Sequence, residues 1–542
     1  MECPLTNYPF TRRDFLSTAL KVGTAAFTTG LLPKQNIKAQ GRYNVLFIIV
    51  DDLRPLLGCY GYPEIHTPNI DRLAQRGTVF NRAYCQTPLC HPSRTSVLTG
   101  LRPETTEVFS NAANFREKLP DVVTLPQYFK AAGYHTQSIG KIEHNALARD
   151  DAYSWSVPSW VPPWLPWVPF DPVYSPSWQS FDVDDNDLPD GRIAEQAVGV
   201  LAELQHTQFF LAVGFEKPHL PFYAPRKYYE LYAQEDFILP TTSTLPTDAP
   251  SVANNRLDGL REYQDIPDDG PISEAKASEL VLGYAASISY MDAQVGRVLQ
   301  QLDALRLSEN TVIVFVGDHG FHLGEHGTWR KNTLFEVALR SPLIISVPGQ
   351  QPNRADALTE LVDIYPTLCD VCQLPIPSGL EGSSFMPVVR QPTLPWKTAA
   401  FSQLRRGGIR GRSIRTEQYR YTEWGNKGRR GIELYDYGAD LNETVNIAEL
   451  PENVELAAQL SERLHVGWQG ALPDSQLQTL IPQMLPWDIN NDGVVNIQDL
   501  VLVSNNFGAV SPRHPKADVN GDGRVNILDL IRVAAHLGKP NG

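Results

Sequence analysis

The hydrophobic pattern of the chain switches between two periods. Short apolar runs, Asn44-Val-Leu-Phe-Ile-Ile-Val50, Thr311-Val-Ile-Val-Phe-Val316 and Leu343 to Val347, predict strands buried on both faces. Helical spacing predicts helices over Thr67 to Gly77, Ser93 to Leu98, Thr124 to Gly133, Ser278 to Leu307 and a run ending near Trp468. Strands alternating with helices in this order predict an α/β sandwich with a mostly parallel central sheet. From about Thr398 the pattern becomes hairpin-like, over Arg410 to Thr416, Tyr419 to Trp424 and Ile432 to Tyr435, and predicts a small C-terminal antiparallel subdomain. One stretch fits neither period: Tyr153 to Phe181 is rich in proline and holds five of the ten tryptophans, Trp155, Trp160, Trp164, Trp167 and Trp178. The prolines remove too many donors for regular structure, so this reads as a loop nailed to the core by its aromatics, with a sugar-stacking wall as the alternative.

Composition adds limits. At 542 residues the chain exceeds one ordinary core. A net charge of −14 argues against nucleic-acid binding, so an anionic substrate must be held by local cations or metal. The first 40 residues read as a twin-arginine export signal, with Thr11-Arg12-Arg13-Asp14-Phe15-Leu16 ahead of a weakly apolar stretch. That stretch is interrupted by Lys21, Gly23 and Gly30, which argues against a permanent membrane span. The six cysteines form no disulfide framework. Cys369 and Cys372 read as two small apolar residues on one helix face.

The last segment repeats. Asp488-Ile-Asn-Asn-Asp-Gly-Val-Val-Asn-Ile-Gln-Asp-Leu500 returns thirty residues later at Asp518 to Leu530, with nine of thirteen positions identical. Oxygen side chains at Asp488, Asn490, Asp492, Asn496 and Asp499, and again at Asp518, Asn520, Asp522, Asn526 and Asp529, have the spacing a hard cation requires. A single helix after each loop resembles the duplicated calcium module called dockerin, which implies two Ca²⁺ ions and a cohesin-like protein partner.

The candidate chemistry gathers at strand ends. Asp51, Asp52, Asp318 and His319 follow apolar strands, at the edge where α/β sheets collect ligands. Carboxylates crowded there repel one another unless a cation sits among them, and oxygen ligands point to Ca²⁺ or Mg²⁺. On physics alone His319 is either a ligand or a support for one. Cys90, beside Arg94, reads either as a low-pKa thiolate or as an inert buried thiol.

The run Cys90-His-Pro-Ser-Arg94, continued by Leu98-Thr99-Gly100 and Pro103, resembles the signature of the type I sulfatases. Gly133 to Lys141 resembles that family's second signature. Lys141-Ile-Glu-His144, Asn44 to Tyr60, Asp151 to Ser156, Val213 to His219, Asp318 to Lys331 and Ser413 to Trp424 are similar to the iduronate-2-sulfatase group. The resemblance implies an alkaline-phosphatase-like fold in which Cys90 is converted to formylglycine by a modifying enzyme. One oxygen of the hydrated aldehyde would attack sulfur and the other would collapse to release sulfate. It also implies a calcium ion on Asp51, Asp52, Asp318, His319 and the residue-90 side chain. Arg94 and Lys141 would steady the diol and the developing charge, and His144 would act as base or orienter. His219 and Lys331 would hold the sulfate and help protonate the leaving alkoxide. His322 and His326 read as structural or substrate-shaping.

The domains expected are a signal over 1–40, a catalytic domain over 41–470 with its subdomain at 395–470, a linker over 471–484 and the calcium module over 485–542. The expected protein is an exported sulfatase, periplasmic, cell-surface or extracellular, acting on a sulfated sugar or polysaccharide. A choline-sulfatase-like small-ester sulfatase or a phosphodiester hydrolase of the same fold is the alternative, and a non-catalytic calcium-dependent scaffold protein the remote one.

Overall fold

The apolar runs assemble into one eight-stranded sheet. The structure is a computed structural model that describes residues 42–144, 151–163, 165, 168, 175–233, 239–240, 242–255, 259–473, 489, 495–510, 517–519, 523–534 and 537. The strands are β1 (Asn44–Val50), β2 (Thr78–Tyr84), β3 (His135–Gly140), β4 (Phe209–Phe215), β5 (Thr311–Gly317), β6 (Arg340–Ser346), β7 (Asn353–Ala355) and the short β8 (Thr359–Glu360). Their order is β7-β2-β6-β5-β1-β4-β3, with β8 also paired to β2. Pairings among β3, β4, β1 and β5 are parallel, as are those of β7 and β8 with β2, but β6 runs antiparallel to both its neighbours. The sheet is therefore mixed and mostly parallel.

Residues on β1 alternate between two cores. Leu46, Ile48 and Val50 face one side with the helices Pro189–Glu203 and Glu274–Ala304, while Val45, Phe47 and Ile49 face the other with Leu125–Ala131 and Ile364–Val371. Both faces are thus covered by helices, which is why these strands carry no polar alternation. Helix α1 (Cys90–Thr99) begins three residues earlier than its sequence pattern predicts, and all ten of its residues are buried. Cys369 and Cys372 are buried and unbridged. The Pro-rich stretch departs from expectation at its end, where Trp178–Phe181 forms a strand parallel to Phe222–Pro225. Four residues without proline suffice for that ladder.

The small antiparallel sheet runs β9 (Ala400–Arg406), β10 (Ile409–Arg415), β11 (Tyr419–Trp424) and β12 (Ile432–Asp436), with helix Val454–Val466 sharing its core. It is keyed to the main sheet through Glu336. That carboxylate takes Arg420 at 2.5 Å, Arg415 at 3.3 Å and the Tyr84 hydroxyl at 2.9 Å. Burial pushes the Glu336 carboxyl up, but Arg420, Arg415 and Arg340 outweigh it and hold it at about 2. A folded value below the unfolded one means that the contribution is complete above about pH 4.5 and is lost as pH falls toward 2. Glu336→Gln is therefore expected to cost about 3 kcal/mol at neutral pH and to flatten the fall in stability below pH 4.5. Urea unfolding midpoints between pH 3 and pH 7 check this, and equal pH slopes for both proteins would contradict it.

Among the described residues no helix is long and apolar enough to cross a membrane. The stretch 1–40, read above as an export signal, lies outside the described residues.

Candidate active site

Parallel pairing builds the site. Val50 of β1 lies beside Gly317 of β5, so Asp51 and Asp318 leave the sheet together. The Asp318 amide donates to Val50 O (3.0 Å), and the Asp52 amide donates to Asp318 Oδ1 (3.1 Å). Asp52 adopts a left-handed backbone, φ 58°, which turns its side chain back over the strand ends. Cys90 enters at the first turn of α1. Two of that helix's residues fasten it to the carboxylates: Ser93 Oγ donates to Asp318 O (2.5 Å), and Arg94 Nε donates to Asp318 Oδ2 (2.9 Å). Arg94 also lies 3.6 Å from Asp51 Oδ1 and donates to the carbonyls of Lys141 and Ile142. One guanidinium thus ties β1, β5 and the end of β3 together.

Two lysines face the same point. Lys141, just after β3, binds Asp51 Oδ2, while Lys331 binds Asp52 Oδ1 and lies 3.2 Å from Cys90 Sγ. His319 Nε2 is 3.5 Å from Cys90 Sγ and 3.5 Å from Asp52 Oδ1, and its Nδ1 faces Gly320 O at 2.9 Å. His219 Nε2 is 3.8 Å from Asp52 Oδ2, with Nδ1 2.5 Å from Leu220 O. Asp51, Asp52, Cys90, Arg94, Asp318, His319 and Lys331 are all buried. His144 is half-buried, its Nδ1 has no hydrogen-bond partner, and burial with Lys141 nearby pushes it down to about 4.

The electrostatics follow from crowding. Burial and the Asp51 carboxylate push the Cys90 thiol up, yet Lys331, Lys141 and the His319 contact bring it below its ordinary value. Burial also penalises Asp52, but Lys331 and His219 hold it at about 2. Asp318 has no lysine, and burial pushes it up to about 7 despite His319 and Arg94.

These residues fit a hard cation. One oxygen of each of two carboxylates, Asp51 Oδ1 and Asp52 Oδ2, is buried with no hydrogen-bond partner. Ligand atoms of Asp51, Asp52, Cys90 and His319 lie within 4.8 Å of one another, the spread that one ion about 2.4 Å from each would span. Asp318 borders that group: its Oδ1 lies 3.6 Å from His319 Nε2 and accepts the Asp52 amide, while its Oδ2 accepts from Arg94.

Supports not evident in the sequence surround the site. Lys217, 2% exposed, donates to His219 O (2.6 Å) and Pro221 O (2.9 Å), and Asp190 accepts the amides of Glu216 and Lys217. His91 and Glu143, both buried, lie 3.3 Å apart and join the Cys90 turn to the Lys141 turn. A lone lysine or glutamate reads as solvated surface until a fold buries it. His322 bonds Thr333 (2.7 Å) and His326 bonds Asn442 O (2.9 Å), so both brace the loop that carries Lys331. In the Trp-rich stretch Trp155 is buried, Trp160 bridges to Ile139 on the free edge of β3, and Trp178 packs against Tyr229. The described tryptophans are anchors, while Trp164 and Trp167 lie outside the described residues.

In the repeat, Asp499 accepts the amides of Ile489 (2.7 Å) and Asn496 (2.8 Å), and Asp529 accepts that of Asn526 (2.7 Å). Asp518 accepts the Gly523 amide (2.9 Å). Helices Ile497–Asn505 and Ile527–Ala534 follow the two loops. Asp488, Asn490, Asp492, Asn520 and Asp522 lie outside the described residues.

Comparison with known proteins agrees with this geometry. Residues 43–374 match the sulfatase family, 324–468 the C-terminal region of N-sulphoglucosamine sulphohydrolase, and 486–538 the dockerin type I domain. Iduronate 2-sulfatase of Mus musculus is 35% identical over 488 residues, covering 72% of this chain and 86% of that protein. Two solved structures share the fold. One is a protein in complex with its substrate D-glucosamine-2-N,6-O-disulfate (TM-score 0.64, 22% identity, 80% of this chain and 98% of that one). The other is the phosphonate monoester hydrolase of Silicibacter pomeroyi (TM-score 0.67, 21% identity, 80% and 96%). The chain belongs to the sulfatase family, carries a C-terminal dockerin domain, and is a sulfuric ester hydrolase.

Proposed function

We propose that this enzyme is an exported, formylglycine-dependent sulfatase of the iduronate-2-sulfatase type that removes sulfate from a sulfated sugar or polysaccharide. The observation that carries the reading is the convergence of Arg94, Lys141, His219 and Lys331 on the three carboxylates beside the buried Cys90, two of which keep an oxygen without a hydrogen bond. Calcium, held by Asp51, Asp52, Asp318, His319 and the residue-90 side chain, would supply a Lewis acid and charge sink for sulfate oxygens. Formylglycine at position 90, as its hydrate, would supply the nucleophilic oxygen and the means of releasing sulfate. The chain's own groups then have distinct work. Arg94 fixes the start of α1 against Asp318 and sets the direction of residue 90. Lys141 and Lys331 flank residue 90 and stabilise the charge that grows on the transferred sulfate. His219 gives its Nδ1 proton to Leu220 O, so Nε2 faces the site as an acceptor that can take a proton and return it to the leaving alkoxide. His144 stands beside Lys141 to orient the hydrate.

The K-x-x-H spacing of Lys141 and His144, with the similarity to iduronate 2-sulfatase, supports a sugar substrate. The twin-arginine segment and the dockerin domain support export and docking to a cohesin-like partner at the cell surface or beyond. The domain limits 1–40, 41–470, 471–484 and 485–542 belong to the same proposal. Peptide mass spectrometry over residue 90 is expected to show the cysteine replaced by an aldehyde in active enzyme, alongside sulfate release from defined sulfated oligosaccharides. An intact thiol in fully active protein would overturn the mechanism.

A further inference from the structure

The outer face of the β9–β10 ribbon is basic in a chain of net charge −14. Register sets Arg405 opposite Arg410 and Gln403 opposite Arg412, so all four side chains share one face. Like charges placed directly opposite one another destabilise a sheet, and Arg410 offsets this only in part by donating to Gln403 Oε1 (2.8 Å). The adjacent Arg406 shows the contrast. It points the other way and donates to the carbonyls of Val252, Asn254 and Asn332, bracing the turn that carries Lys331.

One end of the basic face lies against the Phe109–Asn111 segment, which touches the first turn of α1. Arg405 is exposed, lies 3.5 Å over the Phe109 ring, and pairs with no carboxylate among the described residues. Two residues on, Asn111 accepts the amide of His91, the neighbour of Cys90 (3.1 Å). Across the ribbon Arg410 meets Glu104 at 2.5 Å, and two residues on Arg412 meets Glu423 at 3.6 Å and His465 at 3.2 Å. The Arg410–Glu104 pair is 36% and 46% exposed. Such pairs add little stability and exchange readily for another anion. The face ends in a cleft of about 270 Å³ lined by Gln403, Arg410, Arg412, His465 and Trp468. Glu104 and Gln86 also line it, and Gln86, four residues before Cys90, accepts the Gln403 amide (2.8 Å), so the cleft adjoins the segment that leads into Cys90. None of the groups that surround Cys90 lines this cleft, so an anion held there belongs to a different part of the substrate from the reacting ester.

We propose that this face is a distal subsite that binds a carboxylate or sulfate on a sugar beyond the reacting one, which makes the enzyme selective for extended anionic oligosaccharides. The proposal rests on the sulfatase reading above. Size-graded heparin, ulvan and carrageenan oligosaccharides of two to eight sugars test it, with released sulfate measured and kcat/KM compared between octasaccharide and disaccharide of whichever polymer is desulfated. The ratio is expected to be about tenfold in the wild type, to shrink with added salt, and to approach unity in the R405A/R410A/R412A variant. Incomplete folding or incomplete conversion of residue 90 cancels within each ratio. A wild-type ratio near one, or a ratio that survives in the variant, would overturn the subsite. Failure of converted enzyme to release sulfate from any of these chains would instead overturn the sulfated-polysaccharide reading on which it rests. Desulfated and fully sulfated competitor chains separate carboxylate from sulfate as the bound group.

Discussion

Cys90→Ser is expected to end turnover, with kcat lower by at least about a thousandfold and the fold retained. The substitution exchanges sulfur for the smaller oxygen at a buried helix start, and Ser93 and Arg94 still anchor that turn to Asp318. A serine hydroxyl between Lys331 and Lys141 keeps a nucleophilic oxygen. Its attack on sulfur breaks the bond between sulfur and the ester oxygen, and the sugar alkoxide leaves with a proton. Serine carries no second oxygen to expel the sulfate from itself. The expected record is therefore a burst of one equivalent of desulfated sugar and a residue-90 peptide heavier by one SO₃ group. Sustained turnover by the serine enzyme would show that an aldehyde hydrate is unnecessary, and the proposed chemistry would fail with it.

The gathering of these carboxylates was legible because they sit where the hydrophobic pattern changes. Asp51, Asp52 and Asp318 each end an unbroken apolar run, and parallel pairing of two such runs leaves their carboxylates side by side. The direction of β6 was not legible. A strand buried on both faces has the same pattern whichever way it runs, and only its neighbours decide. The start of α1 was hidden for a related reason. The helix is buried on every side, so no polar face marks its extent, and Pro92 in its first turn looks like a break although a proline there removes only an amide left unpaired anyway. Lys217 and the His91–Glu143 contact were out of reach for sequence reasoning, because their meaning lies in burial. Lys217 matters through two carbonyls that fix the His219 turn, and nothing in Glu-Lys-Pro-His announces a lysine that never reaches solvent.

Arg94→Ala should be the most destabilising single change near the site, costing about 3–5 kcal/mol. The guanidinium is fully buried and spans Asp318, Asp51 and the carbonyls of Lys141 and Ile142. Its loss leaves two buried carboxylates short of a partner, and Asp318, already pushed up by burial, has no lysine to compensate. Arg94→Lys restores one charge but not the fork that reaches two strands at once, so it should recover less than half of the loss. Catalysis falls separately, by about a hundredfold or more in kcat/KM at temperatures where the variant is folded, because residue 90 loses its orientation. Calcium distinguishes these two effects. An ion on Asp51 and Asp52 stabilises only the folded state, so added Ca²⁺ should raise the unfolding midpoint of both proteins while leaving the catalytic deficit in place. Thermal unfolding with and without Ca²⁺, read beside initial rates, measures both. A variant as stable as the wild type would mean that Arg94 does not hold the three strand ends together, and restoration of full activity by calcium would mean that its role is only to offset the charge of the carboxylates.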